Sequence, residues 1–360
     1  MTARLAAHLV AAGHAVEIWV HRHPAHLPAQ ESIGGISVRR FEMSLPAGNI
    51  GSVSRSPSAT LRAMLALSRA ARAFKPDLLH VQCFSVNGVY ATAISRLLGI
   101  PLLVSLQGET LMDDHDIYAH SVLLRMGLRA GVRRARITTG CSQFVLDDAE
   151  TRFGLAAGTG VVVPNGVDLK ESSQPVPLEL PFERFILAMG RVVEKKGFDL
   201  LIDAFGLLSA AHPDVGLLIG GDGAARADLQ RRASELGLSE RVVLPGRFTR
   251  GHVVWATKRA EAFVLPSRIE PFGIVVLEAM RAATPVIVSS RGGAQEIVRH
   301  GTEGLAVDPF DSKALARAIQ SVLEDHHAAR RRAAAASTRV RDFDWSLITR
   351  RYVDLYRQAT

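Results

Sequence analysis

The stretch "FILAMGRVVEKKGFDLLIDAF", Phe185 to Phe205, falls into an apolar run, a loop carrying glycine and cations, and a segment whose apolar residues recur at helical spacing. A buried strand, a turn at Gly190 and a helix from about Phe198 form the repeating piece of a parallel sheet wrapped by helices. Downstream, strand-like runs recur at "GLLIG", "RVVLP", "AFVLP", "PVIVS" and "GLAVD", with helices expected from near Ala224, Thr249, Gly273, Ala294 and Ser312. Six such strands make a complete doubly wound sheet.

Upstream, "AVEIWV", "ISVRRF", "DLLHVQ", "PLLVSL", "RITTG" and "GVVVP" read as strands, with helices near 58–74, 86–98, 118–134 and 142–153, a second sheet of the same kind. Between the halves, "PNGVDLKESSQPVPLELPFER", Pro164 to Arg184, is rich in Pro, Ser and charge without apolar period and reads as a linker. The fold class is therefore α/β, with two Rossmann-like doubly wound domains at 1–165 and 166–340 and a C-terminal helical segment at 341–360. The chain opens with a helix, "MTARLAAHLVAAG", where a doubly wound sheet ordinarily opens with a strand.

At 360 residues and 48% hydrophobic content, the chain has material for two cores. Two cysteines, Cys83 and Cys141, make no disulfide framework and no metal-type spacing, so no metal site is expected and a reducing cytoplasm is the natural setting. No apolar run reaches the roughly 18 to 20 residues that span a bilayer, and the start lacks a secretory pattern. The formal net charge of +8 suits phosphate-bearing ligands, anionic lipid or nucleic acid. Nucleic acid is disfavoured, because the basic residues lack interleaved aromatics.

Three loops leave strands of the second half at the edge where open α/β sheets bind ligands. In "MGRVVEKKG", Arg191 and Lys196 follow Gly190 and suit a diphosphate, the guanidinium by bidentate bonding and the ammonium as a point charge. A solvated charged loop is the equal alternative. In "EPFGIVVLE", Glu270 precedes Pro271, which is placed in the first turn of a helix. The N–H groups near Phe272, Gly273 and Ile274 would then form an anion site, with Glu278 on the second turn. Charged ends of a buried helix are the alternative. "GGDG", with Gly221 and Asp222, is a tight turn that suits phosphate and lacks the third glycine of a dinucleotide fingerprint.

Taken in order, "VPNGVD", "GRVVEKKG", "GGDG", "EPFGIVVLEAM", "PVIVSSRGGAQEIV" and "HGTEGLAVDPFD" resemble the retaining GT-B glycosyltransferases of glycosyltransferase family 4. The resemblance covers nearly all of the second half and much of the first. It implies two domains facing a central crevice, the C-terminal helix crossing back to the first, and transfer of a sugar from a nucleoside-diphosphate sugar to a saccharide or lipid-linked acceptor. No cofactor or metal is implied; the nucleotide sugar is a co-substrate. Arg191, Lys196 and Glu270 would be the catalytic residues, with the donor also contacted by Gly190, Gly221, Asp222, Gly246, Arg247, Phe272, Gly273, Ile274 and Glu278.

Three departures accompany the resemblance. The opening strand and Gly-Gly loop of the family are missing, which would leave a gap in the first sheet and points to a late start site or an inactive protein. Gln82 and Gln107 stand where many members carry histidine to contact the sugar, and Gln cannot titrate near neutrality. His115, with Asp113 and Asp114, is the candidate for acceptor contact, a polar loop being the alternative. His80 reads as a packed strand residue. The competing function is a GT-B protein that binds a nucleotide sugar without turnover.

A basic helix at 120–136 places Arg125, Arg129 and Arg133 at four-residue spacing, with Leu, Val and Met assigned to the opposite side. Peripheral contact with anionic lipid is one reading and a solvated face the other.

Overall fold

The computed structural model describes residues 1–43, 56–113, 116–170 and 172–360. It divides into two compact units, Met1–Asn165 with Trp345–Thr360, and Gly166–Asp344. Among the described residues, no helix is long and apolar enough to cross a membrane.

In the first unit the order is α1 (Thr2–Ala11), β1 (Glu17–His21), β2 (Gln30–Ile33), β3 (Ile36–Phe41), α2 (Ser56–Phe74), β4 (Leu79–Gln82), α3 (Val86–Leu98), β5 (Leu102–Leu106), α4 (Glu109–Met112), α5 (Ile117–His120), α6 (Val122–Arg134), β6 (Ile137–Gly140), α7 (Gln143–Phe153) and β7 (Val161–Val162). The strands form two sheets, β1-β3-β2 and β4-β5-β6-β7, where one parallel sheet was expected. Strand β2 was not anticipated: it pairs antiparallel with β3 across a tight turn in which Gly34 and Gly35 both take positive φ. Its alternation is mostly exposed, so no apolar period marks it. Strands β1 and β4 both line a cavity of about 130 Å³, walled by Trp19, Leu79, His80, Tyr90 and Ile94 among others.

The predicted helix at 118–134 is two helices. Ser121 breaks it and its hydroxyl accepts the Leu124 N–H, capping α6. The division of α6 also differs from expectation. Leu124, Leu128 and Val132 are buried, whereas Val122, Leu123 and Met126 are exposed alongside Arg129 and Arg133 rather than opposite them. The C-terminal helix Trp345–Ala359 packs Trp345, Ile348, Tyr352 and Leu355 with Leu5 and Leu9 of α1 and Leu103 of β5.

The second unit runs β8 (Arg184–Met189), α8 (Phe198–Ser209), β9 (Val215–Gly220), α9 (Arg226–Glu235), β10 (Val242–Gly246), α10 (Arg250–Arg259), β11 (Ala262–Leu265), α11 (Ile274–Arg281), β12 (Val286–Ser289), α12 (Ala294–Ile297), β13 (Leu305–Val307), α13 (Ser312–Glu324) and α14 (His326–Arg339). All six strands are parallel, in the order β10-β9-β8-β11-β12-β13. Near-continuous apolar strands such as "FILAM" and "AFVL" are what a sheet covered on both faces requires, and their side chains are fully enclosed. The chain therefore steps outward from β8 to β10, then returns to the other side of β8 with β11. Strands β8 and β11 flank the switch point of the sheet.

Much of the presumed linker is fixed to this unit: Val167 is buried and its N–H bonds the Phe343 carbonyl at 2.8 Å, and the Val176 N–H bonds the Gly251 carbonyl at 3.0 Å.

Candidate active site

The loop leaving β8 begins at Gly190, makes one short 3-10 turn at Glu194–Lys196 and enters α8 through Gly197 at φ +66°. A side chain on Gly197 would meet the Pro266 carbonyl oxygen at 2.2 Å, so glycine lets this loop approach the one leaving β11. Across that approach, the Lys196 Nζ donates to Glu270 Oε2 at 2.7 Å, and the Ser267 hydroxyl donates to the same oxygen at 2.8 Å. Both partners are largely enclosed, Lys196 at 13% and Glu270 at 6% side-chain exposure. The two residues assigned to catalysis from different strands thus meet at the switch point.

Glu270 is anchored at its backbone as well. It bridges to Gly292, and the Gly293 N–H donates to its carbonyl at 2.7 Å, tying in the loop after β12. Nearby, Arg268 grips Asp199 of α8 with two bonds of 2.7 and 2.6 Å. Burial pushes the Asp199 carboxyl up, but the Arg268 hydrogen bonds and charge outweigh it and hold the group below its ordinary range.

The glycine loops are laced together by the backbone. Gly190 N–H bonds the Gly220 carbonyl at 3.0 Å, Val192 N–H the Asp222 carbonyl at 2.9 Å, and Gly221 N–H the Gly246 carbonyl at 2.8 Å. Gly190, Gly221, Asp222 and Gly246 therefore lie along one connected rim. Arg191, Asp222 and Arg247 are exposed on their loops.

Helix α11 starts at Ile274, with Gly273 as its N-cap at φ +95°. Pro271 accordingly precedes the helix instead of occupying its first turn, because Phe272, buried against Phe343 at 6.1 Å, and the left-handed Gly273 delay helix entry. The first intrahelical bond is from the Val276 N–H to the Gly273 carbonyl at 2.9 Å, which leaves the N–H groups of the first turn at the positive end of the helix. Glu278, one turn further on, is ion-paired to Arg250 at the start of α10.

In the first unit, the residues assigned to the sugar side lie at the exits of β4 and β5. Gln107 Nε2 donates to Gln82 Oε1 at 3.4 Å, and Gln82 Nε2 lies 3.0 Å from His80 Nε2. His80 in turn contacts Ser105 Oγ and Tyr356 OH, each at 2.7 Å. His80 is also among the residues that line the cavity shared by β1 and β4. Burial holds its pKa at about 3, so the ring is neutral and joins the network as one donor and one acceptor. Gln107 Oε1 is buried with no hydrogen-bond partner among the protein groups described. His115 and Asp114 lie outside the described residues.

Both halves of the chain match family models: residues 1–166 the "Glycosyl transferase 4-like domain", and residues 171–339 "Glycosyl transferases group 1". Over 309 residues the chain is 31% identical to the glycogen synthase of Mycobacterium tuberculosis, covering 84% of this chain and 74% of that one. The chain belongs to the group 1 glycosyl transferases. It is a glycosyltransferase of the GT-B fold. Among solved structures it is similar to sucrose-phosphate synthase from Thermosynechococcus elongatus, with 25% identity, a TM-score of 0.80, and coverage of 99% of this chain and 92% of that one. The Anabaena protein Alr3699/HepE, solved with UDP and glucose, shares the fold at a TM-score of 0.71 and 23% identity over 90% of this chain and 87% of that one.

Three residues of this glycosyltransferase were not singled out from its sequence. Ser267 shares Glu270 with Lys196, and Arg250 holds Glu278. Glu109, in "SLQGET", accepts the Phe84 N–H at 2.5 Å and the Gln107 N–H at 2.6 Å. A Gly-Glu pair directly after a buried strand was the available signal for Glu109.

Proposed function

We propose that this glycosyltransferase moves a sugar from a nucleoside-diphosphate donor to a saccharide or lipid-linked acceptor, with retention of anomeric configuration and without a metal ion, in the synthesis of a cell-surface polysaccharide or glycolipid. The observation that carries the reading is the Lys196–Glu270 pair at the switch point of the second sheet. Breaking the sugar–diphosphate bond builds negative charge on the leaving group while the sugar becomes cationic. A cation held in place before the reaction stabilises that charge at little reorganisation cost.

Lys196, with Arg191 from the same loop and the amides of Gly273 and Ile274 at the start of α11, forms the set proposed to neutralise the diphosphate. Gly190, Gly221 and Asp222 supply its rim, with Gly246 and Arg247 near the base. Glu270 orients Lys196 and reaches the donor sugar; Phe272 closes the wall behind it. Glu278, exchanging Arg250 for hydroxyls, takes the ribose. Gln82 and Gln107 are the proposed sugar-side contacts in the first unit.

The proposed setting is the cytoplasm, with peripheral contact at the membrane through the basic helix. Four large apolar side chains, Ile117, Val122, Leu123 and Met126, are exposed within ten residues, and no acidic residue occurs from Ile117 to Leu146 while Arg125, Arg129, Arg133, Arg134 and Arg136 do. Several of these guanidinium groups cap carbonyls, such as Arg129 on Arg152, and keep their charge in doing so. That combination supports resting on anionic lipid.

The test is a panel of UDP-, GDP-, ADP- and dTDP-sugars, scored first for binding by thermal shift and then for transfer or hydrolysis. Binding of one nucleotide class with turnover is expected. Binding without turnover on any acceptor favours a non-catalytic binder, and absence of binding throughout rejects the reading.

A further inference from the structure

Glu109 opens α4 at the exit of β5, two residues beyond Gln107, and its two carboxylate oxygens go to different loops. One takes the Phe84 N–H, in the loop leaving β4, and the other takes the Gln107 N–H, in the loop leaving β5. The Phe84 carbonyl accepts the Tyr118 hydroxyl, so the β4 exit is held from both sides. Between Gln82 and Phe84 the chain passes through Cys83 at φ +62°, a left-handed conformation that a non-glycine residue adopts only when its surroundings impose it. Gln82 and Gln107 stand on either side of this tie and touch each other at 3.4 Å.

We propose that Glu109 is a positioning residue: as a carboxylate it ties the β4 exit to the β5 exit and so fixes where Gln82 and Gln107 stand. The inference rests on the reading of those two glutamines as sugar-side contacts. A carboxylate is the one side chain of this reach whose two ends both accept, which two N–H groups from two loops require. Glutamine can serve one of them with its oxygen and must turn an NH₂ donor toward the other.

The tie is pH-dependent in a stated direction. Burial pushes the Glu109 carboxyl up, against its own N–H and those of Gln107 and Phe84, to a pKa of about 7. The other titratable groups facing it are Cys83 at the β4 exit, Tyr118 of α5 and Asp148 of α7. The first two are pushed up by burial and by Glu109 itself, and Asp148 is paired with Arg152 at 2.9 Å. Protonation converts one oxygen from acceptor to donor, so the tie is complete above pH 7 and weakens as pH falls through that value.

Two measurements on the full chain test this. Amide-resolved hydrogen exchange, corrected for the intrinsic rate, should show the Phe84 and Gln107 amides losing at least tenfold protection between pH 8 and pH 6 in the wild type. In E109Q their protection should be low at both values while the α8 amides stay protected. The kcat/KM for transfer should rise with pH through an inflection near 7, and E109Q should lack that inflection. If the two amides are equally protected at both pH values in the wild type, and equally in E109Q, the proposal is overturned. If the wild type transfers no sugar, the functional reading fails and the exchange data alone decide the role of Glu109.

Discussion

Lys196 and Glu270 form a close ion pair, and both are mostly withdrawn from water. Removing one strands the other. Glu270→Ala should therefore destabilise the protein by about 3 to 5 kcal/mol, the range for breaking a buried pair, as read by urea unfolding. Glu270→Gln keeps an acceptor for Lys196 and Ser267 and should be milder in stability, yet lower the transfer rate on the order of 10²-fold if its charge holds the lysine in register. Equal rates in Glu270→Gln and the wild type would remove it from the mechanism. At this scale the motifs single out Lys196 and Glu270 in loops that leave strands and Glu278 within α11, and the first two meet in the structure. The sequence was silent on Arg250 and Ser267, whose roles exist only once α10 and the β11 exit lie beside Glu278 and Glu270.

The glycine rim belongs to the scale of elements. Gly221 has φ +141°, and a Cβ there would lie 1.8 Å from the Gly190 carbonyl oxygen, a backbone atom that cannot step aside. Gly221→Ala should cost more than about 2 kcal/mol, combining strain with a broken lacing bond, and should weaken donor binding together with stability. A variant with unchanged unfolding midpoint would contradict the close approach of these loops. Helix α6 gives a second prediction at this scale: the wild type should co-sediment with vesicles containing phosphatidylglycerol and not with phosphatidylcholine alone, and the double variant Val122→Asp, Met126→Asp should lose at least tenfold in that binding. Retention of binding by the double variant would place the contact elsewhere. The buried parallel strands of the second unit were legible because both faces are apolar. Strand β2 and the break at Ser121 were not, since one is exposed with weak alternation and the other depends on a hydroxyl cap within an otherwise helical pattern.

For the molecule as a whole, the neutral His80 makes stability depend on acid. Its pKa is near 3 folded and near 6.5 when the chain is open, so below about pH 6.5 the unfolded state takes up a proton that the folded state refuses. Stability supplied by the neutral ring is full above pH 6.5 and is lost progressively toward pH 3. The loss at pH 5 should be about 2 kcal/mol from this residue, and His80→Asn should flatten that part of the unfolding profile. Unchanged slopes in the two proteins would show that the ring is not held neutral. The alternation of strand and helix places two domains at 1–165 and 166–340 with a helical segment at 341–360; the described residues divide at Asn165–Gly166 and Asp344–Trp345, with Val167 and Val176 bonded into the second unit.

Lys196, at the switch point of the second sheet, is the residue we propose holds the donor diphosphate. The most direct test is calorimetric titration of the preferred nucleoside diphosphate, with chelator present, into the wild type and into folded Lys196→Ala. Binding to the wild type should be measurable, and affinity should be lower by roughly 10- to 100-fold in the variant, the worth of a charge-assisted bond to phosphate. Equal affinities would contradict that role for Lys196.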